Sequence, residues 1–300
     1  MKTETVYNEF LELLTNNLPG QPDKPDETPQ STLEALWYFS CGTPRAAQGK
    51  SALPLPSLNR KSYVQLKALV QKRVKGTPLA HIIGKQQFMG LDLLVGSEAL
   101  IPRKETEIVG YAALAKIKEL AAKQPQVKII DVCTGMGNLA LAFATHEPKS
   151  KVTAIDISSD AVKLAQLNAQ NLSLEDRVAF LAADMFEPVE KPEYLKSFDI
   201  ITCNPPYIST KKLEKLPAEI IKHEPQEAFN GGPIGLSIIF KLIKESPRFL
   251  KTGGWLCFEV GLGQGDVISN VMSRNNQFST IETAKDTQNN IRAILAQINH

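Results

Sequence analysis

From Val127 onward, short apolar runs alternate with segments of helical periodicity, and this alternation limits the possible folds more than any other feature. The runs Val127–Cys133, Val152–Asp156, Val178–Leu181, Phe198–Cys203, Trp255–Val260, Phe278–Thr283 and Ile291–Ile298 have strand length and composition. Helical segments near Leu139–Ala144, Asp160–Asn171, Leu236–Phe249 and Asp266–Arg274 separate most of them. Apolar strands joined by helices build a mostly parallel sheet, because both of its faces must be covered. The last two runs are joined only by the polar stretch Lys285–Asn290, too short for a crossover helix, so they form an antiparallel hairpin. The expected fold is α/β: a seven-stranded, doubly wound, Rossmann-like sheet with one reversed strand.

Residues 1–76 read as a small helical domain. Val6, Phe10, Leu13 and Leu14 recur at helical spacing, and a polar loop runs from Pro19 to Gln30. Ser31-Thr32-Leu33-Glu34 has the form of a capping box opening a second helix, and Val64, Leu66, Leu69, Val70 and Val74 mark a third that Gly76 closes. Residues 77–100 read as a β-hairpin linker, with His81-Ile82-Ile83, Gln87-Phe88-Met89 and Leu91–Val95 broken by Gly84 and Gly90. Residues 101–300 form the sheet domain, which a helix through Ile108, Tyr111, Leu114 and Ile117 enters.

The chemistry lies where the fourth sheet run ends, at Asn204-Pro205-Pro206-Tyr207. Two prolines cannot continue a ladder, yet their carbonyls remain free to accept. An Asn carbonyl, a Pro carbonyl and an aromatic face held on a stiff turn suit a planar NH2 group: two acceptors take its two hydrogens while the ring stacks on its plane. Such a nitrogen, in an amide or on a nucleobase, is a poor nucleophile because its lone pair is delocalised. Fixing both hydrogens while an electrophile waits on the opposite side favours attack. Asn204, Pro205 and Tyr207 are thus the candidate catalytic residues, and Pro206 joins them in holding the substrate.

The first sheet run opens into Asp131-Val132-Cys133-Thr134-Gly135-Met136-Gly137-Asn138-Leu139-Ala140. Gly135-x-Gly137-x-x-Ala140 between a strand and a helix is a nucleotide-binding fingerprint, and Asp156 follows about 20 residues on to take ribose hydroxyls. Cys133, Thr134, Gly135, Gly137 and Asp156 are the candidate cofactor residues, and this pattern alone fits a nicotinamide or a sulfonium cofactor. Asp184, with Met185 beside it, ends the third run and offers an acceptor for adenine's amino edge. Asn204 borders the same crevice.

Composition narrows the class. The chain has 300 residues and a net charge of +2, with both signs interspersed. Lys72-Arg73-Val74-Lys75 and Lys211-Lys212 are short, whereas a sequence-specific nucleic-acid binder carries a concentrated basic stripe. Cys41, Cys133, Cys203 and Cys257 lack metal-ligand spacing, so no metal is expected and a reducing, cytoplasmic setting fits. No apolar run is long enough to span a bilayer, which argues against a membrane partner.

Asn204-Pro205-Pro206-Tyr207 resembles the signature of the amino-methyltransferases, which identifies the electrophile as the methyl group of S-adenosylmethionine. The wider pattern resembles the HemK/PrmC family of protein glutamine-N5 methyltransferases. The resemblance rests on Pro78-Leu79-Ala80-His81-Ile82-Ile83-Gly84, Phe88-x-Gly90-Leu91, Leu100-Ile101-Pro102-Arg103-x-Glu105-Thr106-Glu107, Asn204–Ile208, His223-Glu224-Pro225 with Gly231-Gly232-x-x-Gly235-Leu236, and Lys285-Asp286 with Arg292. Lys104 stands where that family usually has Pro, and Met185 where it commonly has an aromatic residue. The resemblance implies an S-adenosylmethionine methyltransferase sheet that yields S-adenosylhomocysteine and methylates the Gly-Gly-Gln glutamine of a peptide chain release factor; a monomer is expected, although no sequence feature reveals the oligomeric state. The amino-terminal helices would dock that protein. Glutamine and adenine offer the same NH2 plane, so a ribosomal-protein glutamine and a nucleic-acid adenine remain the alternatives.

Overall fold

In the computed structural model, which describes residues 3–18, 24–47 and 54–299, the amino-terminal part folds as helices α1 (Thr3–Asn17), α2 (Pro29–Ser40) and α3 (Arg60–Val74). Their apolar stripes meet in one core, with Val6, Phe10 and Leu14 of α1 against Leu33, Leu36 and Trp37 of α2 and Leu66 and Val70 of α3. Trp37 is fully buried, and its indole N–H donates to the Pro56 carbonyl at 2.8 Å. The cap of α2 differs from the sequence expectation. Thr28 is the N-cap and Pro29 begins the helix, while Ser31, at the third helical position, accepts Thr28 N–H on its hydroxyl at 2.9 Å and gives its own N–H to Thr28 Oγ1 at 3.1 Å. Proline at the first helical position sacrifices no hydrogen bond, so the helix starts earlier than the Ser-Thr pair suggests. Pro19–Asp23 of the expected polar loop lie outside the described residues.

The linker departs in one respect. His81-Ile82-Ile83 are helical, in α4 (Leu79–Ile83), and only β1 (Lys85–Phe88) and β2 (Leu91–Leu94) form the hairpin. Pro78 presets the entry to that turn, and Gly84 closes it in the left-handed conformation, at φ 75°. The hairpin groups with the helices: one compact unit comprises Met1–Ser97, Ile101–Lys104 and Pro217–His223. The last segment carries α9 (Ala218–His223). Its Glu219 receives the Arg73 guanidinium at 2.9 Å.

The other unit comprises Glu98–Leu100, Glu105–Leu216 and Glu224–His300. In chain order its elements are α5 (Thr106–Ala121), β3 (Val127–Val132), α6 (Asn138–His146), β4 (Ser150–Asp156), α7 (Ser159–Leu172), β5 (Val178–Ala182), β6 (Phe198–Cys203) and α8 (Thr210–Leu213). After α9 come α10 (Ser237–Glu245), β7 (Leu250–Glu259), α11 (Gly265–Ser273), β8 (Phe278–Lys285) and β9 (Ile291–Ile298). The seven strands lie in the order β5-β4-β3-β6-β7-β9-β8. All neighbours from β5 to β7 pair in parallel, and β9 is antiparallel to both β7 and β8. The expected single reversed strand is therefore β9. β7 starts five residues earlier than the apolar run, because Gly253 and Gly254 interrupt the pattern without ending the strand.

The order reverses between β3 and β6. Chain connections leave this point in opposite directions, which opens a crevice at the carboxyl ends of the two strands. β3 leads into Gly135 and Gly137 there, and β6 leads into Asn204. The sheet thus places both sequence motifs side by side.

Candidate active site

The chain leaves β6 through Asn204, Pro205, Pro206 and Tyr207, and hydrogen bonds from three directions fix this turn. Ile208 N–H donates to the Phe229 carbonyl at 2.9 Å, and Gly231 N–H returns a bond to the Ile208 carbonyl at 2.9 Å. The Gln264 side chain donates to the carbonyls of Tyr207 at 3.0 Å and Gly235 at 3.2 Å, while its Oε1 accepts from Gly261 N–H at 2.9 Å. Close approach explains the glycines of this loop. A Cβ on Gly231 would sit 2.6 Å from the Pro206 carbonyl oxygen, and one on Gly235 would overlap the Tyr207 carbonyl oxygen. The loop after the motif, legible in the sequence as Gly231-Gly232-x-x-Gly235, is the wall that the motif leans on.

Two side chains of the motif are anchored. Asn204 Nδ2 donates to Thr106 Oγ1 at 3.2 Å, so its carbonyl Oδ1 is the end left to accept. The Tyr207 hydroxyl donates to Glu259 Oε1 at 3.0 Å. Burial, then the neighbouring Glu259 charge, pushes the Tyr207 hydroxyl well above its ordinary pKa, so it remains a donor. Beyond the stacking face expected of it, that tyrosine thus has a fixed hydroxyl. Thr106 and Glu259 were not among the expected site residues. Glu259 had a signal, since it is an acid ending an apolar run as Asp156 does.

At the end of β3, Cys133 takes φ 56°, Gly135 φ 55° and Gly137 φ 85°, the last capping α6. Asp156, at the end of β4, receives Gly135 N–H on Oδ2 at 2.7 Å and Ser158 N–H on Oδ1 at 2.9 Å. Burial raises its pKa, and the backbone donors oppose the rise. Each oxygen keeps a second lone pair for a ribose hydroxyl. Thr134 donates to Asp131 Oδ2 and Thr202 of β6 to Asp131 Oδ1, both at 2.6 Å. Asp131 is thereby a fastener between the glycine loop and β6; burial pushes it up to about 6, against those two hydroxyls.

The residues fit a nucleoside with a charged sulfur tail. Open space faces Gly135, where an added Cβ meets nothing within 4 Å. Ile157, 70% exposed, and Leu181 present apolar surface beside Asp156 and at the end of β5, as an adenine ring requires. Two expected contacts fall out differently. Met185 is 5% exposed and packs in the core with Phe186, so it offers no open stacking face. Its left-handed backbone, φ 50°, turns the side chain into the protein. Asp184 accepts from Lys241 Nζ at 2.5 Å, so only its remaining acceptor capacity is available to an adenine amine. Among the described residues no cluster of ligating side chains could hold a metal ion. Nor is any described helix long and apolar enough to cross a membrane.

If this crevice holds the nucleoside, Asp156→Ala should weaken S-adenosylmethionine binding by about 1–3 kcal/mol, the cost of leaving polar groups unpaired. Titration calorimetry of parent and variant measures this directly, and unchanged affinity would remove Asp156 from the site.

Comparison with known proteins agrees with the geometry. Residues 123–298 match a family model described as a methyltransferase domain. The chain is 33% identical over 274 residues to the release factor glutamine methyltransferase of Rhodopirellula baltica, covering 91% of each protein. It is 34% identical to the protein of that name from Yersinia pestis, over 90% of this chain and 93% of the relative. With the Clostridium acetobutylicum protein of that name it shares 38% identity, over 76% and 77%. Among solved structures, the human Mettl16 catalytic domain in complex with a MAT2A 3′UTR hairpin superimposes with a TM-score of 0.52 at 14% identity, over 76% of this chain and 81% of that one. A human methyltransferase 10 domain containing protein gives 0.50 at 16% identity, over 80% and 98%. At such identities these structures speak to the fold alone.

Proposed function

Because the chain belongs to the family of release factor glutamine methyltransferases, we propose that it methylates the side-chain amide nitrogen of the Gly-Gly-Gln glutamine in a peptide chain release factor. The observation that carries this reading is the orientation of Asn204. Its nitrogen is committed to Thr106, so its carbonyl is presented at the switch point beside the glycine loop and Asp156. An acceptor there suits a substrate NH2 group.

Bound S-adenosylmethionine supplies a methyl group on a sulfonium that leaves as a neutral thioether. Cys133, Thr134, Gly135, Gly137 and Asp156 would hold the nucleoside and tail, and Ile157 and Leu181 would flank the base. The Asn204 and Pro205 carbonyls each take one hydrogen of the glutamine NH2, and the Tyr207 ring stacks on the amide plane with Pro206 beside it. With both hydrogens held, the nitrogen lone pair is left on the side away from these acceptors, where a bound S-adenosylmethionine would offer its methyl group. The nitrogen gains the methyl and gives one proton to solvent. Methyl transfer from a sulfonium needs no metal. The enzyme works in the cytoplasm, where its translation substrate is, and the helical unit serves to dock the release factor.

Radiolabelled methyl transfer tests the substrate class. The parent enzyme should label release factor, and should leave a ribosomal protein and an adenine-containing single strand unlabelled. Label on the nucleic acid instead would overturn the protein-substrate reading.

A further inference from the structure

We infer that Glu259 and Thr106 are positioning residues for methyl transfer: one buried carboxylate holds Tyr207 directly and holds Asn204 through the Thr106 hydroxyl, with Arg292 as its counter-ion. This rests on the reading of Asn204–Tyr207 given above. Glu259 is 1% exposed at the carboxyl end of β7. Its Oε1 accepts from the Tyr207 hydroxyl at 3.0 Å and lies 3.5 Å from Arg292 Nη2 of β9, which is also 3.6 Å from Glu105 Oε1. Oε2 is buried without a hydrogen-bond partner, and the Thr106 hydroxyl is among the groups that favour the charged carboxylate.

Thr106 has one hydroxyl hydrogen, and its oxygen already accepts from Asn204 Nδ2. With Glu259 charged, that hydrogen belongs to the carboxylate, Thr106 must accept from Asn204, and the Asn204 carbonyl faces the substrate. With Glu259 neutral, the acid can donate to Thr106, whose hydrogen then turns toward Asn204. The amide flips to accept it and shows its own NH2 to the substrate NH2, which is the wrong match. The charge on Glu259 therefore sets which end of Asn204 the substrate meets.

Burial pushes Glu259 up to about 7. The Thr106 hydroxyl, Arg292 and the Tyr207 hydroxyl oppose that rise, while the Glu105 charge adds to it. The competent, charged form is thus the one gained as pH rises through about 7. The parent kcat should climb across neutrality, because the carboxylate is needed and is lost below that pH.

The test measures kcat and KM for release factor and S-adenosylmethionine in the parent, Glu259→Gln, Thr106→Val and Thr106→Ser, from about pH 6 to about pH 8. Thr106→Val keeps the shape and removes the relay. It should lose at least about tenfold in kcat with KM for both substrates nearly unchanged, and Thr106→Ser should restore most of the loss. Glu259→Gln should be slower and should lack the parent's rise with pH. Calorimetric binding of S-adenosylmethionine reports whether each variant is folded, and if Glu259→Gln fails to fold, the Val and Ser pair decides alone. Parental kcat in Thr106→Val, or a parental pH rise in Glu259→Gln, would overturn the relay while leaving the methyltransferase reading intact. A parent enzyme with no turnover on release factor would overturn both.

Discussion

Asn204→Ala should lower turnover on release factor by about 10²–10³, the loss found when one positioned hydrogen-bonding group is removed from an active site. The variant should still bind S-adenosylmethionine, because Asp131, Asp156 and the glycine loop are braced by Thr134, Thr202 and Ser158 rather than by Asn204. Folding should also survive, since Asn204 makes one side-chain bond, to Thr106, at the sheet's open end. Asn204→Asp keeps an acceptor of nearly the same shape while it adds a charge and loses the donor to Thr106, so it should retain more activity than the alanine variant if acceptance is what matters. Single-turnover transfer with saturating cofactor separates the chemical step from binding. Near-parental turnover in Asn204→Ala would remove the motif from the mechanism.

Gly235→Ala should be almost as damaging, although Gly235 touches no substrate. It sits at φ 76°, which an L side chain adopts at a cost of about 1–2 kcal/mol. Its new Cβ would also overlap the Tyr207 carbonyl oxygen and press on Ser209 N at 3.1 Å and Gln264 Nε2 at 3.2 Å. None of these can give without moving the turn that presents Asn204 and Tyr207. A displacement of that kind can cost about 100-fold in rate. Gly84→Ala is the control: it has φ 75° with nothing within 4 Å of an added Cβ, so it carries the backbone strain alone. Both variants should melt earlier than the parent, and only Gly235→Ala should lose turnover. Equal turnover in the two would show that the loop does not brace the motif.

Strands of a parallel sheet are buried on both faces, so Ile129–Val132 and Ile200–Cys203 read as mainly apolar runs, interrupted only by Asp131 and Thr202, and the sheet was legible. The motif residues and the glycine loop were legible too, because prolines and glycines state their backbone demands locally. Features set by distant partners were not. The bond from Asn204 to Thr106 spans 98 positions and that from Tyr207 to Glu259 spans 52, so no local pattern links them. The same holds for Pro217–His223, which joins the helical unit through Glu219 and Arg73. His81-Ile82-Ile83 misled because β-branched residues suit strands, whereas Pro78 and Gly84 enclose a single helical turn. Met185 misled because its position after Asp184 fixes its place in sequence but not the left-handed φ that buries it.

Tandem mass spectrometry of a release factor incubated with enzyme and S-adenosylmethionine tests the central claim most directly. The parent should add one methyl group to the side-chain nitrogen of the Gly-Gly-Gln glutamine, and Asn204→Ala should leave that residue unmodified over the same time. A methyl group on any other residue, or on the same glutamine at equal yield in both proteins, would contradict the account.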